Sequence, residues 1–161
     1  MKDKTCCFSG HRKISPIGTI DISIRMRKQI DSLVKQGYER FICGGALGFD
    51  TICALTVLNA KKKYKNIKLI LALPCENQTK NWQQKDIEVY NSILKNSDEV
   101  IYISKNYFNG CMHKRNRYMV DNSSYCIYYL NKNSGGTAYT VQYAKKEGLK
   151  LKNMAVDRID K

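Results

Sequence analysis

No apolar run in this chain approaches the roughly 18 residues that a membrane span requires. No C-x-x-C pair occurs either. The cysteines number seven, an odd count at irregular spacing, and so supply no disulfide framework. Cys111-Met112-His113 alone cannot make a four-ligand zinc site, and no metal is expected. No repeat, linker or low-complexity stretch divides the 161 residues, a length that fits one domain, 1–161, with its own core. Met1-Lys2-Asp3-Lys4-Thr5 leads straight into a strand-like segment, without the long apolar region of a secretory signal. These absences predict a cytoplasmic protein with no membrane partner.

Apolar residues make up 43% of the chain, the share of an ordinary folded domain. Cys6, Cys7, Cys43 and Cys126 fall in predicted strands and Cys53 in a predicted helix, where reduced cysteine acts as a small buried hydrophobe. Lys and Arg outnumber Asp and Glu by 28 to 14, a net charge of +14. Such a balance favours anionic partners, whether nucleotides, nucleic acid or an anionic surface. Many lysines gather where helices end, as at Lys61-Lys62-Lys63 and Lys145-Lys146, and there they complement the helix dipole. A solvated lysine-rich surface is therefore a simpler account of the charge than a dedicated nucleic-acid face.

Strand-like and helix-like segments alternate. Thr5–Ser9 reads as a strand, and Ile22, Met26, Ile30, Leu33 and Val34 form a helical stripe closed by Gly37. Arg40–Cys43 is a short strand, Ala46 to about Lys63 a helix, and Ile67–Leu73 an apolar strand suited to a sheet covered on both faces. Pro74 ends it. Trp82, Ile87, Tyr90 and Leu94 mark a third helix, before a strand at Val100–Ser104. A helix from about Gly110 to Asn122, a strand at Tyr125–Leu130, a helix at Gly136–Lys146 and an edge strand at Leu149–Val156 complete the order. This rhythm predicts a Rossmann-like three-layer α/β sandwich, its mostly parallel sheet flanked by helices.

Three small-residue turns each follow a strand: Ser9-Gly10-His11-Arg12, Gly44-Gly45-Ala46-Leu47-Gly48-Phe49-Asp50, and Gly135-Gly136-Thr137. Ligands of open α/β sheets sit beyond the strands' carboxyl ends, where such turns let a phosphate approach backbone N–H groups and helix N-termini. The second turn has neither the G-x-G-x-x-G spacing nor the Lys-Ser/Thr of a Walker A loop. Arg12 can bind phosphate bidentately, and His11 is one of only two histidines. Asp50 can accept from ribose hydroxyls or act as an acid or base. Arg115 shares a helical face with Cys111 and Met119, beside Asn116 in a basic run. Pro74, Cys75 and Glu76 follow the apolar strand; Glu76 is a candidate ribose or base contact, and Cys75 would be nucleophilic only with a lowered pKa. Trp82 reads as core. Catalysis, if present, would draw on Asp50, Glu76 or Asp121.

These turns, together with Pro74-Cys75, Gln78 with Trp82, and Arg115-Asn116-x-x-Met119, resemble the YpsA-like branch of the SLOG superfamily. That Rossmann-like group includes the DNA-processing protein DprA and the LOG phosphoribohydrolases. The resemblance runs from about residue 5 to 148. It implies a nucleotide-derived ligand, similar to ADP-ribose, NAD or a sugar nucleotide, over the glycine turns. Gly48 and Asp50 would be key residues, with Arg12, Arg115 and Thr137 around the phosphates. The LOG enzymes have a lysine where Asn116 stands and a glutamate shortly after the last glycine turn. This chain continues Gly135-Gly136-Thr137-Ala138-Tyr139-Thr140-Val141-Gln142, without that carboxylate. The resemblance therefore implies a nucleotide-binding sensor or regulator first, a hydrolase of an N-glycosidic or phosphoester bond second, and a DprA-like single-stranded nucleic-acid module third. A homodimer is compatible with each.

Overall fold

A computed structural model describes residues 1–155. Six strands form one sheet in the order β4-β3-β2-β1-β5-β6. They are β1 (Thr5–Gly10), β2 (Arg40–Cys43), β3 (Lys68–Leu73), β4 (Glu99–Tyr102), β5 (Tyr125–Tyr129) and β6 (Lys150–Asn153). Every neighbouring pair is parallel, for example Cys7 beside both Ile42 and Cys126. The connecting helices are α1 (Pro16–Lys35), α2 (Phe49–Ala60), α3 (Gln84–Asn96), α4 (Cys111–Asp121) and α5 (Gly136–Lys146). The expected α/β sandwich is thus present, and its sheet is wholly parallel.

Strand alternation builds two cores. Cys6, Phe8, Phe41, Cys43, Leu69, Leu71, Leu73 and Ile127 point to one face, where Ile22, Met26, Ile30 and Leu33 of α1 and Cys53 and Val57 of α2 meet them. Phe8 and Phe41 stack there with centroids 6.3 Å apart. Cys7, Ile42, Ile70, Ala72 and Cys126 point to the other face, against Met119 and Val120 of α4 and Ala144 of α5. Each fully buried Phe, Leu or Ile contributes about 1.5–3 kcal/mol relative to exposure. All seven cysteines are free and buried, in keeping with the reading of Cys6, Cys7, Cys43, Cys53 and Cys126 as small core residues.

Local chemistry moves several expected boundaries. α1 starts at Pro16 because Ser15 caps it, its side chain accepting the Gly18 N–H at 3.0 Å. α2 starts at Phe49 rather than Ala46, and its last turn ends at Ala60 rather than Lys63. Trp82 lies in the loop before α3, with its ring edge-on to Tyr90 at 5.4 Å. β6 stops at Asn153, where the Asn153 side chain accepts the N–H of Ala155 at 2.9 Å. The expected strand ran on to Val156, but Met154 and Ala155 form a turn instead, and Val156 lies outside the described residues.

Candidate functional site

From β1 the chain moves to β2 on one side, while β5 lies on the other. The sheet's topological switch point therefore falls between the carboxyl ends of β1 and β5, where open α/β sheets present their ligand crevice. A cleft of about 290 Å³ opens there, close to the lower size of small-molecule sites. Ser9, Gly10, His11 and Arg12 line it from β1 and its turn, Ala46 and Asp50 from the second turn, Arg115 and Asn116 from α4, and Gly135, Gly136 and Thr137 from the third turn.

The first two turns interlock. The Phe49 N–H donates to the His11 carbonyl at 3.1 Å. A Cβ on Gly10 would stand 2.4 Å from the Phe49 ring, and one on Gly48 would stand 2.2 Å from the Arg12 carbonyl oxygen. Gly48 also holds φ at 77° and ψ at −120°, a conformation closed to side-chain-bearing residues, and this is why α2 cannot begin before it.

Asp50 sits in the first turn of α2 and is 6% exposed. Its Oδ2 accepts the Ala46 N–H at 3.2 Å. Burial pushes its carboxyl above the usual range, against the opposing pull of Arg115, the Ala46 N–H and Arg12. Arg115, 5% exposed, donates through Nη1 to the Gly44 carbonyl and, at 3.4 Å, to that of Ala72. Its Nε donates to the Asn116 side-chain oxygen at 2.7 Å. Burial lowers its pKa and Asp50 opposes that shift, yet a guanidinium stays charged at any physiological pH. Gly44 separates the two charges: a Cβ there would lie 2.7 Å from Arg115 Nη1 and 2.9 Å from Asp50 Oδ2.

On the far wall, Gly135 precedes α5 and no side chain caps that helix. Its first helical bond runs from the Tyr139 N–H to the Gly135 carbonyl at 3.1 Å, so the N–H groups of Gly136 and Thr137 occupy an uncapped N-terminus beside the cleft. His11 joins this wall to the first turn: Nε2 accepts the Asn131 N–H at 3.3 Å, and the ring meets Tyr129 edge-on at 5.8 Å. Burial, with Lys132 adding to it, holds the imidazole pKa below its usual value and so favours the neutral ring.

Some candidates lie elsewhere. Glu76 is exposed beyond β3, where its N–H donates to the Lys105 carbonyl at 3.1 Å; it does not line the cleft. Pro74 is buried and also absent from the lining. Gly44, Gly45 and Gly48 are likewise absent from the lining and act on the cleft only through the shape of the second turn. Asp121, at the other end of α4, accepts from the Tyr143 hydroxyl at 2.6 Å. Burial raises the Cys75 thiol's pKa, the reverse of what a nucleophile needs. Phe8, Met112, Met119, Lys132 and Ser134 line the cleft without having been singled out as ligand contacts. Lys132 and Ser134 stand just before the Gly135-Gly136 turn, and Met112 lies one helical turn before Arg115; that proximity was the available signal. Among the described residues, no His, Cys, Asp and Glu group could hold a metal ion, and no helix is long and apolar enough to cross a membrane.

An all-parallel sheet with a basic cleft at its switch point defines a Rossmann-like α/β protein. The chain belongs to the YspA SLOG family, whose model matches residues 15–161, in agreement with the resemblance carried by its motifs. It is similar to an uncharacterized SPbeta prophage-derived protein, YoqJ, of Bacillus subtilis (32% identity over 126 residues, 71% of this chain and 74% of that one). A UPF0398 protein of Halalkalibacterium halodurans is 30% identical over 132 residues, covering 80% of this chain and 70% of its own. Among solved structures, DNA processing protein A (DprA) from Streptococcus pneumoniae superposes over 94% of this chain with a TM-score of 0.68 and 16% identity. DprA from Helicobacter pylori gives the same coverage and TM-score at 20% identity. The chain spans 50% of the first DprA and 65% of the second, and at such identity the likeness concerns the fold.

Proposed function

We propose that the switch-point cleft binds a phosphate-bearing, nucleotide-derived ligand of the ADP-ribose, NAD or sugar-nucleotide kind, and that the protein acts as a sensor or regulator through that binding. The observation that carries this reading is the uncapped N-terminus of α5 opening onto a cleft that also holds Arg12 and Lys132. Backbone N–H donors, a positive dipole end and two cations converge there, which suits a phosphate or pyrophosphate. Asp50 is the one acidic residue among the lining residues and is the candidate for a ribose hydroxyl contact. It is buried and already accepts the Ala46 N–H, while Glu76 and Asp121 stand away from the cleft. Binding therefore has more support than hydrolysis, which would have to rest on Asp50 alone.

Isothermal titration against ADP-ribose, NAD, AMP and UDP-glucose tests the proposal. Saturable heat with at least one, weakened by Arg12→Ala, is expected. Silence with all four, or equal affinity in the variant, would overturn it. A second reading, single-stranded nucleic-acid binding, draws on the net charge of +14 and on the Helicobacter pylori DprA, whose structure is described by its single-stranded DNA binding mode. Its signature is an electrophoretic shift that falls steeply as salt rises.

A further inference from the structure

His11 joins two stretches of the cleft wall that lie far apart in sequence. Its Nε2 accepts the N–H of Asn131, 120 residues later, at 3.3 Å. Its ring meets Tyr129 of β5 edge-on at 5.8 Å, and its carbonyl accepts the Phe49 N–H of α2 at 3.1 Å. Asn131 leads into the segment from which Lys132, Ser134 and Gly135 line the cleft. A ring nitrogen that accepts a hydrogen bond carries no proton, so the neutral imidazole holds its one proton on Nδ1. A proton added at Nε2 sets two donors against each other and ends the bond to Asn131.

The charges around the ring come from four places. Lys132 follows β5, Arg12 is the next residue along the first turn, Arg115 stands on α4 and Asp50 on α2; all four line the cleft with His11. Asp50 is the one carboxylate of the set, and it is engaged by the Ala46 N–H and set against Arg115. Burial and the charge of Lys132 favour the neutral ring, while the Asn131 side chain pulls the other way. An anion beside Lys132 cancels that cation's repulsion. It also gives the imidazolium Nε2–H and the freed Asn131 N–H a common acceptor.

We propose that the cleft takes up its anion together with a proton, which adds to His11 Nε2. This rests on the reading of the cleft as a phosphate site and adds how that site is regulated. With the ring neutral, Nε2 holds the Asn131 N–H. With the ring protonated, both groups donate to the anion, and the proton comes from solvent. Linkage makes the effect reciprocal: an anion that favours the protonated ring is itself bound more tightly when that proton is present. A sensor built this way responds more strongly to its ligand as pH falls.

Sulfate is the probe, because it stays divalent throughout and adds no titration of its own. Heteronuclear NMR of the wild-type imidazole nitrogens, without sulfate at about pH 8, should show His11 protonated at Nδ1, and the Asn131 amide should shift in step with His11 as the pH falls to about 5. Sulfate should displace the His11 titration upward and bind about tenfold more tightly at about pH 5 than at about pH 8, the gain of one charge-assisted bond. His113, outside the cleft with its ring 4.5 Å from that of Tyr139, reports the general effect of salt on a chain of net charge +14. His11→Gln keeps an acceptor for the Asn131 N–H but cannot titrate, so its sulfate affinity should lose the pH dependence, whereas Asp50→Asn should keep it. A neutral ring protonated at Nε2, an Asn131 amide that does not follow His11, or equal displacement of both histidines would each overturn the proposal. So would a pH dependence that survives in His11→Gln and disappears in Asp50→Asn, since that would assign the proton to Asp50. Sulfate bound equally at both pH values would leave the anion site standing and remove the coupling alone; sulfate bound at neither would remove both.

Discussion

Replacing Gly48 with alanine should be among the costliest single methyl additions in this protein. Two penalties combine. The backbone at φ 77° and ψ −120° is essentially a glycine conformation, and forcing alanine into it costs about 1–3 kcal/mol. The new methyl would also stand 2.2 Å from the Arg12 carbonyl oxygen and 2.6 Å from that of His11. Neither carbonyl moves freely, because the His11 oxygen accepts the Phe49 N–H one residue away. Overpacking of that kind costs about another 1–3 kcal/mol. The sum is roughly 2–6 kcal/mol, which for a chain of this size lowers the thermal midpoint by roughly 5–20 °C. Two other glycines separate the terms. At Gly37, φ is +100° with no atom within 4 Å of a built Cβ, so alanine bears backbone strain alone, about 1–2 kcal/mol. At Gly136 no positive φ is present and the space is also open, so alanine should be neutral or slightly stabilising. Differential scanning calorimetry on the three variants reads the series directly. If Gly48→Ala melts no lower than Gly37→Ala, the first and second turns do not interlock and the cleft's floor is wrongly assigned.

The two arginines should separate by readout. Arg12→Ala, at an exposed position, should leave stability within about 0.5 kcal/mol and weaken a bound nucleotide by about tenfold or more, the loss of a charge-assisted bond. Arg115→Ala should instead lower stability by about 3–5 kcal/mol, since it strands the carbonyls of Gly44 and Ala72 and leaves Asp50 without its buried counter-charge; denaturant unfolding checks it. Asp50→Asn should change the pH profile. Burial raises the folded-state pKa of Asp50 above the unfolded value near 3.8, so its contribution to stability is fully present below that value and is lost as pH rises through the folded pKa. The asparagine variant has no such loss, and its midpoint relative to wild type should climb from acid toward neutral pH. A difference that stays flat or shrinks would show that Asp50 is not buried as described.

The middle of the sheet was legible because its strands are short, largely apolar runs with period-two partition between two covered faces. Leu69, Leu71 and Leu73 go one way, Ile70 and Ala72 the other, and no polar residue interrupts them. Helix starts were less legible where a turn borrows side-chain chemistry. Ala46 and Leu47 suit a helix by composition, yet the Ala46 N–H is held by Asp50 and Gly48 adopts a conformation no helix contains. Glu76 illustrates the opposite error. Its place just after a strand suggested a ligand contact, but its side chain is exposed and does not line the cleft.

Arg115 shows where sequence reasoning about the site stops. The spacing of Cys111, Arg115 and Met119 puts them on one helical face, and all three are buried, at 0%, 5% and 1% exposure. The spacing could not show which acceptors that face would meet. They are the carbonyls of Gly44 and Ala72, from β2's turn and from β3, so the guanidinium ties α4 to two strands it never neighbours in sequence. Its charge is set against Asp50 across Gly44. Arg12 has the contrary setting: it is exposed and lines the cleft, as do the residues at the uncapped start of α5. A phosphate entering the cleft gains more from the cation whose donors are not already bonded to carbonyls. Arg115 thus fixes the shape of the cleft, and under the proposed ligand reading discrimination among anions would fall to Arg12, Lys132 and the N–H groups of the third glycine turn.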